Sequence, residues 1–140
     1  MRVFLALSLV LLLAAGSPAQ EAIPEAEPPV TPETVVEATP EGDWRDEYGT
    51  TLRLSLCGDG TQLCAVLLDV QGESRTEANL AYLNQQVMQA DMIGPNEWRG
   101  TVIFEGSEAA STLTQVGPDT IEIQGCRVAI LCQTLTFNRV

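Results

Sequence analysis

Four cysteines and a scatter of carboxylates are the residues of this chain best able to do chemistry. Cys57 and Cys64 flank the segment GDGTQL, and Cys126 and Cys132 flank RVAIL. Neither pair has the C-x-x-C spacing of a redox motif or a zinc ribbon. An even cysteine count in a short chain reads instead as a disulfide framework, formed outside the reducing cytoplasm. Four cysteines permit three pairings. Local pairing is the simplest of them, because each bridge then clips neighbouring strand ends. Closing so short a loop contributes about 2–3 kcal/mol by chain entropy.

The carboxylates offer less. Asp43, Asp46 and Glu47 cluster in sequence, and Asp59 stands between two glycines. A paired-carboxylate hydrolase needs two acids facing one cleft, one of them with a raised pKa. Nothing in this spacing requires that arrangement, so these residues read as solvated acids, with Asp59 a turn former. The regular ligand spacing of a calcium-binding hand is absent around it. There is no histidine, which removes the usual general base and the commonest metal ligand. There is no lysine for Schiff-base chemistry. The expectation is therefore no catalytic residue, no metal and no cofactor, with a hydrolase built on Asp43 or Asp59 as the third-ranked reading.

Charge narrows the partners. Nineteen acidic residues face seven arginines, a formal net charge of −12. A nucleic-acid binder needs a basic stripe, so nucleic acid is excluded, and anionic lipid head groups with it. A small apolar molecule or a basic protein fits this balance, and the negative charge also favours solubility.

The chemistry-bearing residues need elements to hold them, and the chain is punctuated accordingly. Met1-Arg2, the apolar run Val3–Ala15 and the small residues up to Ala19 describe a signal peptide over 1–19, cut after Ala19. The apolar run is shorter than the roughly 20 residues that span a bilayer, so no stable membrane anchor remains after cleavage. The expected location is periplasmic or secreted. Residues 20–42, dense in Pro, Glu, Ala and Thr, read as a disordered acidic linker.

From residue 43 to 140 the pattern is that of strands. TLRLSL sets Leu52, Leu54 and Leu56 on one face. LCAVLLDV follows the Gly58-Asp59-Gly60 turn, which makes a hairpin. WRGTVIFE begins after Gly94-Pro95-Asn96, and STLTQV and TIEIQG flank Gly117-Pro118-Asp119. QTLTFNRV closes the series, with Leu135, Phe137 and Arg139 on one face. Period-two alternation with turns every 8–12 residues marks a sandwich or barrel. Pairing of the last strand with the first, near Trp44, would leave no exposed edge, so a small closed antiparallel barrel is predicted. One segment departs from this rhythm. TEANLAYLNQQVMQA sets Leu80, Leu83, Val87 and Ala90 near helical spacing behind a Thr76 N-cap, which predicts one short helix or ordered loop across a barrel mouth.

Several motifs in order give a family resemblance: Gly42-Asp43-Trp44, the segment LSLCGDGTQLC, Trp98-Arg99-Gly100, and the ending IQGCRVAILCQTLTFNRV. Together they resemble the bacterial exported family catalogued as domain of unknown function 2147. Ala65 stands where that family has a glycine after the second cysteine, and Phe137 where it has a closing tryptophan. The resemblance implies a lipocalin-like β-barrel with a cavity for a small hydrophobic or amphipathic ligand, and brings no enzymatic activity. It also implies a barrel-closing pair, Trp44 with Arg139, and leaves Trp98, Phe104 and Phe137 as the candidate aromatics for a cavity, with Trp98 at a mid-barrel position that can face either core or cavity. The leading functional expectation is thus a small-ligand-binding barrel. An acidic module engaging a basic envelope protein is the alternative.

Overall fold

Alternating apolar residues can bury one face only if the sheet finds a partner for that face, and here the sheet supplies its own by closing. The computed structural model describes Gly16, residues 38–128 and residues 130–140. Apart from Gly16, the predicted signal peptide lies outside the described residues, and so does the predicted linker up to residue 37. The chain divides after Val35, and the unit described below begins at Val36.

Eight strands run in order around a closed antiparallel barrel: β1 (Gly42–Asp46), β2 (Thr50–Cys57), β3 (Gln62–Val70), β4 (Gln86–Gly94), β5 (Glu97–Phe104), β6 (Ser107–Gly117), β7 (Thr120–Cys126) and β8 (Cys132–Arg139). Each strand pairs with its neighbour in sequence. β8 returns to β1, with Trp44 opposite Arg139 and Asp46 opposite Phe137. The up-and-down path puts alternate turns at opposite ends. The β1–β2, β5–β6 and β7–β8 connections share one end, called the mouth below. The β2–β3, β4–β5 and β6–β7 turns share the other, the base.

Inward residues form one core: Trp44, Leu54, Leu63, Met88, Leu113, Ile121 and Phe137 are each almost fully buried. Two of the four register shifts in the sheet set its phase here. Thr51 pairs with Asp69 and Leu52 with Leu67, so Leu68 is the extra residue and Val70 turns inward. Ala65 pairs with Met88 and Val66 with Gln86, which leaves Val87 unpaired, and both Val87 and Met88 are buried. A bulge bends and twists a strand, which closure of so small a sheet requires. Gly100 serves the same packing. A Cβ there would collide with the Gln89 carbonyl oxygen on β4.

The predicted helix is much shorter than its apolar spacing suggested. A single helical turn, α1 (Glu77–Leu80), follows Thr76, whose Oγ1 accepts from the Asn79 N–H at 3.2 Å. Val87 and Ala90 belong to β4 instead. Their three-residue spacing arises from the bulge at Val87, which breaks strict alternation and mimics a helical period. Leu80, Tyr82 and Leu83 pack against the core from this connection.

Both disulfides are local. Cys57–Cys64 clips the β2–β3 hairpin at the base, and Cys126–Cys132 clips the β7–β8 hairpin at the mouth. Such bridges suit a chain that matures in an oxidising compartment. Among the described residues, no helix is long and apolar enough to cross a membrane.

Candidate functional site

The two ends of the barrel differ. At the base, the Arg139 guanidinium lies over the Trp44 ring, 4.2 Å from its centroid. Its Nη1 donates to the Glu41 carbonyl at 2.8 Å, and its Nη2 to those of Thr39 at 2.7 Å and Pro118 at 3.0 Å. The Trp44 indole N–H donates to the Pro40 carbonyl at 2.9 Å, and the Gln115 amide reaches Thr39 at 3.2 Å. Residues 39–41 therefore strap across the base, and Pro40 is buried. Residues 39–41 pack with the barrel although they precede the predicted boundary at residue 43, because their carbonyls are the acceptors Arg139 and Trp44 need. Gly42 has φ of 133°, and a Cβ there would stand 2.7 Å from Arg139 Nη1. The Gly-x-Trp opening is thus read as a steric requirement: glycine lets the guanidinium pass on its way to the ring.

Trp98 also belongs to the base side. It is buried, and its indole N–H donates to the Thr61 carbonyl in the β2–β3 turn at 3.0 Å.

Toward the mouth the core is incompletely filled. A cavity of about 90 Å³ lies between Leu52, Leu67, Val87, Val102, Ile123 and Leu135. Phe104 and Phe137 line it as well, whereas Trp98 is not among its lining residues. The indole is held away by its bond to Thr61, so of the three aromatics proposed for a cavity two sit at it. Asn79 and Tyr82, from the connection around α1, reach the same space. Sequence reading missed the aliphatic wall, since each strand contributes one or two residues that look like ordinary core.

Outside the cavity two clefts continue it. One, about 240 Å³, shares Thr50, Asn79, Phe104, Glu105, Gln133 and Leu135 with the cavity and adds Asp46, Tyr48 and Glu73. The other, about 280 Å³, lies along the disulfide-clamped hairpin, between Phe104, Arg127 and Leu131. Arg127 bridges Glu105 at 2.9 Å and lies 5.4 Å from the Phe104 ring centroid. Beyond it the hairpin tip exposes Val128, Ile130 and Leu131.

The acids separate sharply. Asp43 points outward, and its carboxylate takes a two-point bond from Arg53 at 2.8 and 3.0 Å. That bond holds the Asp43 carboxyl below the usual aspartate range, burial opposing it slightly. Asp59 accepts from the Thr61 hydroxyl and amide at 2.7 and 2.9 Å, which lowers its pKa too. Neither lines the cavity or its clefts, so the two acids named for a hydrolase do not share a site. Asp46 departs from the solvated reading: it is only 6% exposed. Its Oδ1 accepts the amides of Tyr48 at 3.0 Å and Thr50 at 2.7 Å, shaping the β1–β2 turn. Its Oδ2 is buried and has no partner among the described residues. The Tyr48 phenol is pushed above its ordinary pKa, first by its bond to Glu47 and that residue's charge, with smaller contributions from burial, Glu73 and Asp46. Among the described residues, no three His, Cys, Asp or Glu side chains come together to hold a metal ion.

No protein-family profile and no curated protein matches the chain. Among solved structures, a redesigned β-barrel is similar at 10% sequence identity and a TM-score of 0.46, over 71% of this chain and 90% of that one.

Proposed function

We propose that this is an exported binding barrel, delivered by a signal peptide cut after Ala19 into the periplasm or the medium, that holds one small apolar group near its mouth. The observation that carries the reading is the 90 Å³ cavity with walls of Leu, Ile, Val and Phe side chains. A void that size forfeits dispersion contacts its lining would otherwise make, and an apolar guest restores them. The local disulfides support maturation outside the cytoplasm. The motif resemblance to domain of unknown function 2147 supports the same barrel class and forms part of this proposal.

Size decides what enters. Ligand pockets for drug-sized molecules run to about 300–1,000 Å³. An engineered cavity of about 150 Å³ is enough for benzene. At about 90 Å³ the cavity takes a short alkyl chain or a branched aliphatic group. A retinoid or an entire long fatty acid is too large for it. The test is an NMR titration with butanol, hexanol and benzene, following methyl groups of Val102, Ile123 and Leu135. Saturable shifts confined to these residues are expected. Replacement Val102→Phe, which fills the space, should abolish them while the fold persists. Shifts that never saturate, or that survive Val102→Phe unchanged, would overturn the reading.

A further inference from the structure

The cleft over the cavity has its own chemistry. Three carboxylates line it, Asp46, Glu73 and Glu105, and no arginine does. Arg127 reaches Glu105 only from the neighbouring cleft, and that pair is exposed on both sides. The acids alone would be an ordinary wet surface. Asp46 is not ordinary, because a carboxylate 94% buried with one oxygen unpartnered bears a desolvation cost that structures rarely leave uncompensated. The cleft of about 240 Å³ is much wider than a bare ion needs, and it runs directly into the apolar space through shared walls at Thr50, Phe104 and Leu135.

We propose that the ligand is an amphipathic organic cation, whose short apolar tail occupies the cavity and whose ammonium group sits in the cleft against Asp46 and Glu73. This rests on the binding-barrel reading above and adds the charge of the ligand to it. An ammonium group in the cleft would offset the charge of the buried Asp46 carboxylate, whose Oδ2 has no partner among the described residues, and the electron-rich face of an aromatic such as Phe104 also suits a cation. A carboxylate-headed ligand would meet the like charges of Asp46 and Glu73, Glu105 being paired with Arg127. The net charge of −12 would further draw a cation toward the molecule and repel an anion.

The experiment is a comparison of head groups on one tail, using the full chain with both disulfides oxidised. Butylamine and hexylamine are titrated by NMR at low ionic strength beside butanol, hexanol, butyrate and hexanoate. The amines should bind about tenfold or more tightly than the alcohols, the worth of one charge-assisted hydrogen bond, and the carboxylates most weakly. Added salt should narrow that preference. Asp46→Asn keeps the turn-forming Oδ1, and Glu73→Gln alters an exposed residue away from the core. Each should cut amine affinity several-fold and leave alcohol affinity unchanged. Equal binding of amines and alcohols would overturn the cation proposal and leave the barrel reading standing. Binding of none of the six compounds would overturn both.

Discussion

Removing the Arg139 side chain tests how the barrel is locked. Its guanidinium makes four hydrogen bonds to three backbone carbonyls, Thr39, Glu41 and Pro118, at 2.7–3.2 Å, and stacks on Trp44 at 4.2 Å. The side chain is 27% exposed, so solvent weakens each bond. Taking about 0.5 kcal/mol per bond, the low end for a partly wet donor, gives about 2 kcal/mol. The cation–π contact adds about 1 kcal/mol. The 3.3 Å pair with Asp119, whose carboxylate is 76% exposed, adds almost nothing. Arg139→Ala should therefore cost about 3 kcal/mol, or roughly 12–24 °C in melting temperature for a domain of about 100 residues. Arg139→Lys keeps a charge but not the planar fork, and should lose about half as much. Urea unfolding followed by far-ultraviolet circular dichroism, with m checked for constancy, gives both numbers. A loss below about 0.5 kcal/mol for Arg139→Ala, or a lysine variant as stable as the parent, would refute the idea that this residue locks the ends of the sheet together.

The same clamp predicts that Gly42→Ala loses about 2 kcal/mol, since it strains φ of 133° and drives a methyl into Arg139 Nη1; thermal unfolding checks this. Asp43 gives a pH prediction. Its folded-state pKa is depressed, chiefly by the bond from Arg53, so its contribution is present above the ordinary aspartate range and fades as pH falls through the lower folded value. In Arg53→Ala the Asp43 carboxyl should titrate closer to the ordinary range, read from its carboxyl-carbon chemical shift. Val102→Phe, besides blocking the guest, should leave stability within about 1–2 kcal/mol of the parent by urea unfolding, because the new ring has a void to enter.

Much of the architecture was legible because its causes are local. Leu52 and Leu54 alternate with Thr51 and Arg53, and the Gly-Asp-Gly, Gly-Pro-Asn and Gly-Pro-Asp turns fall where strands must reverse. Closure followed from strong strand character at both Trp44 and Phe137. The fourth strand was not legible as one. Its bulge places Val87 and Met88 side by side in the core, and period-two reasoning fails wherever an extra residue is inserted. That residues 39–41 pack with the barrel was not legible, because they contribute carbonyl groups, which composition does not reveal. The cavity was hidden for a different reason. An unfilled space is a deficit summed over six strands and a loop, and no single residue carries a mark of it. Asp46 looked like its neighbours Asp43 and Glu47 until the β1–β2 turn folded over it.

The bridge between Cys126 and Cys132 has a consequence for how the fold wears in an oxidising compartment. Its hairpin tip holds bulky side chains up to solvent, Ile130 at 88% exposure, the kind of site proteases cut first. A break there would sever the backbone between the seventh and eighth strands but not the covalent path, which passes through sulfur. The final strand would stay tethered beside the first, with Arg139 still seated on Trp44. A nicked molecule of this design keeps its shape until something reduces it.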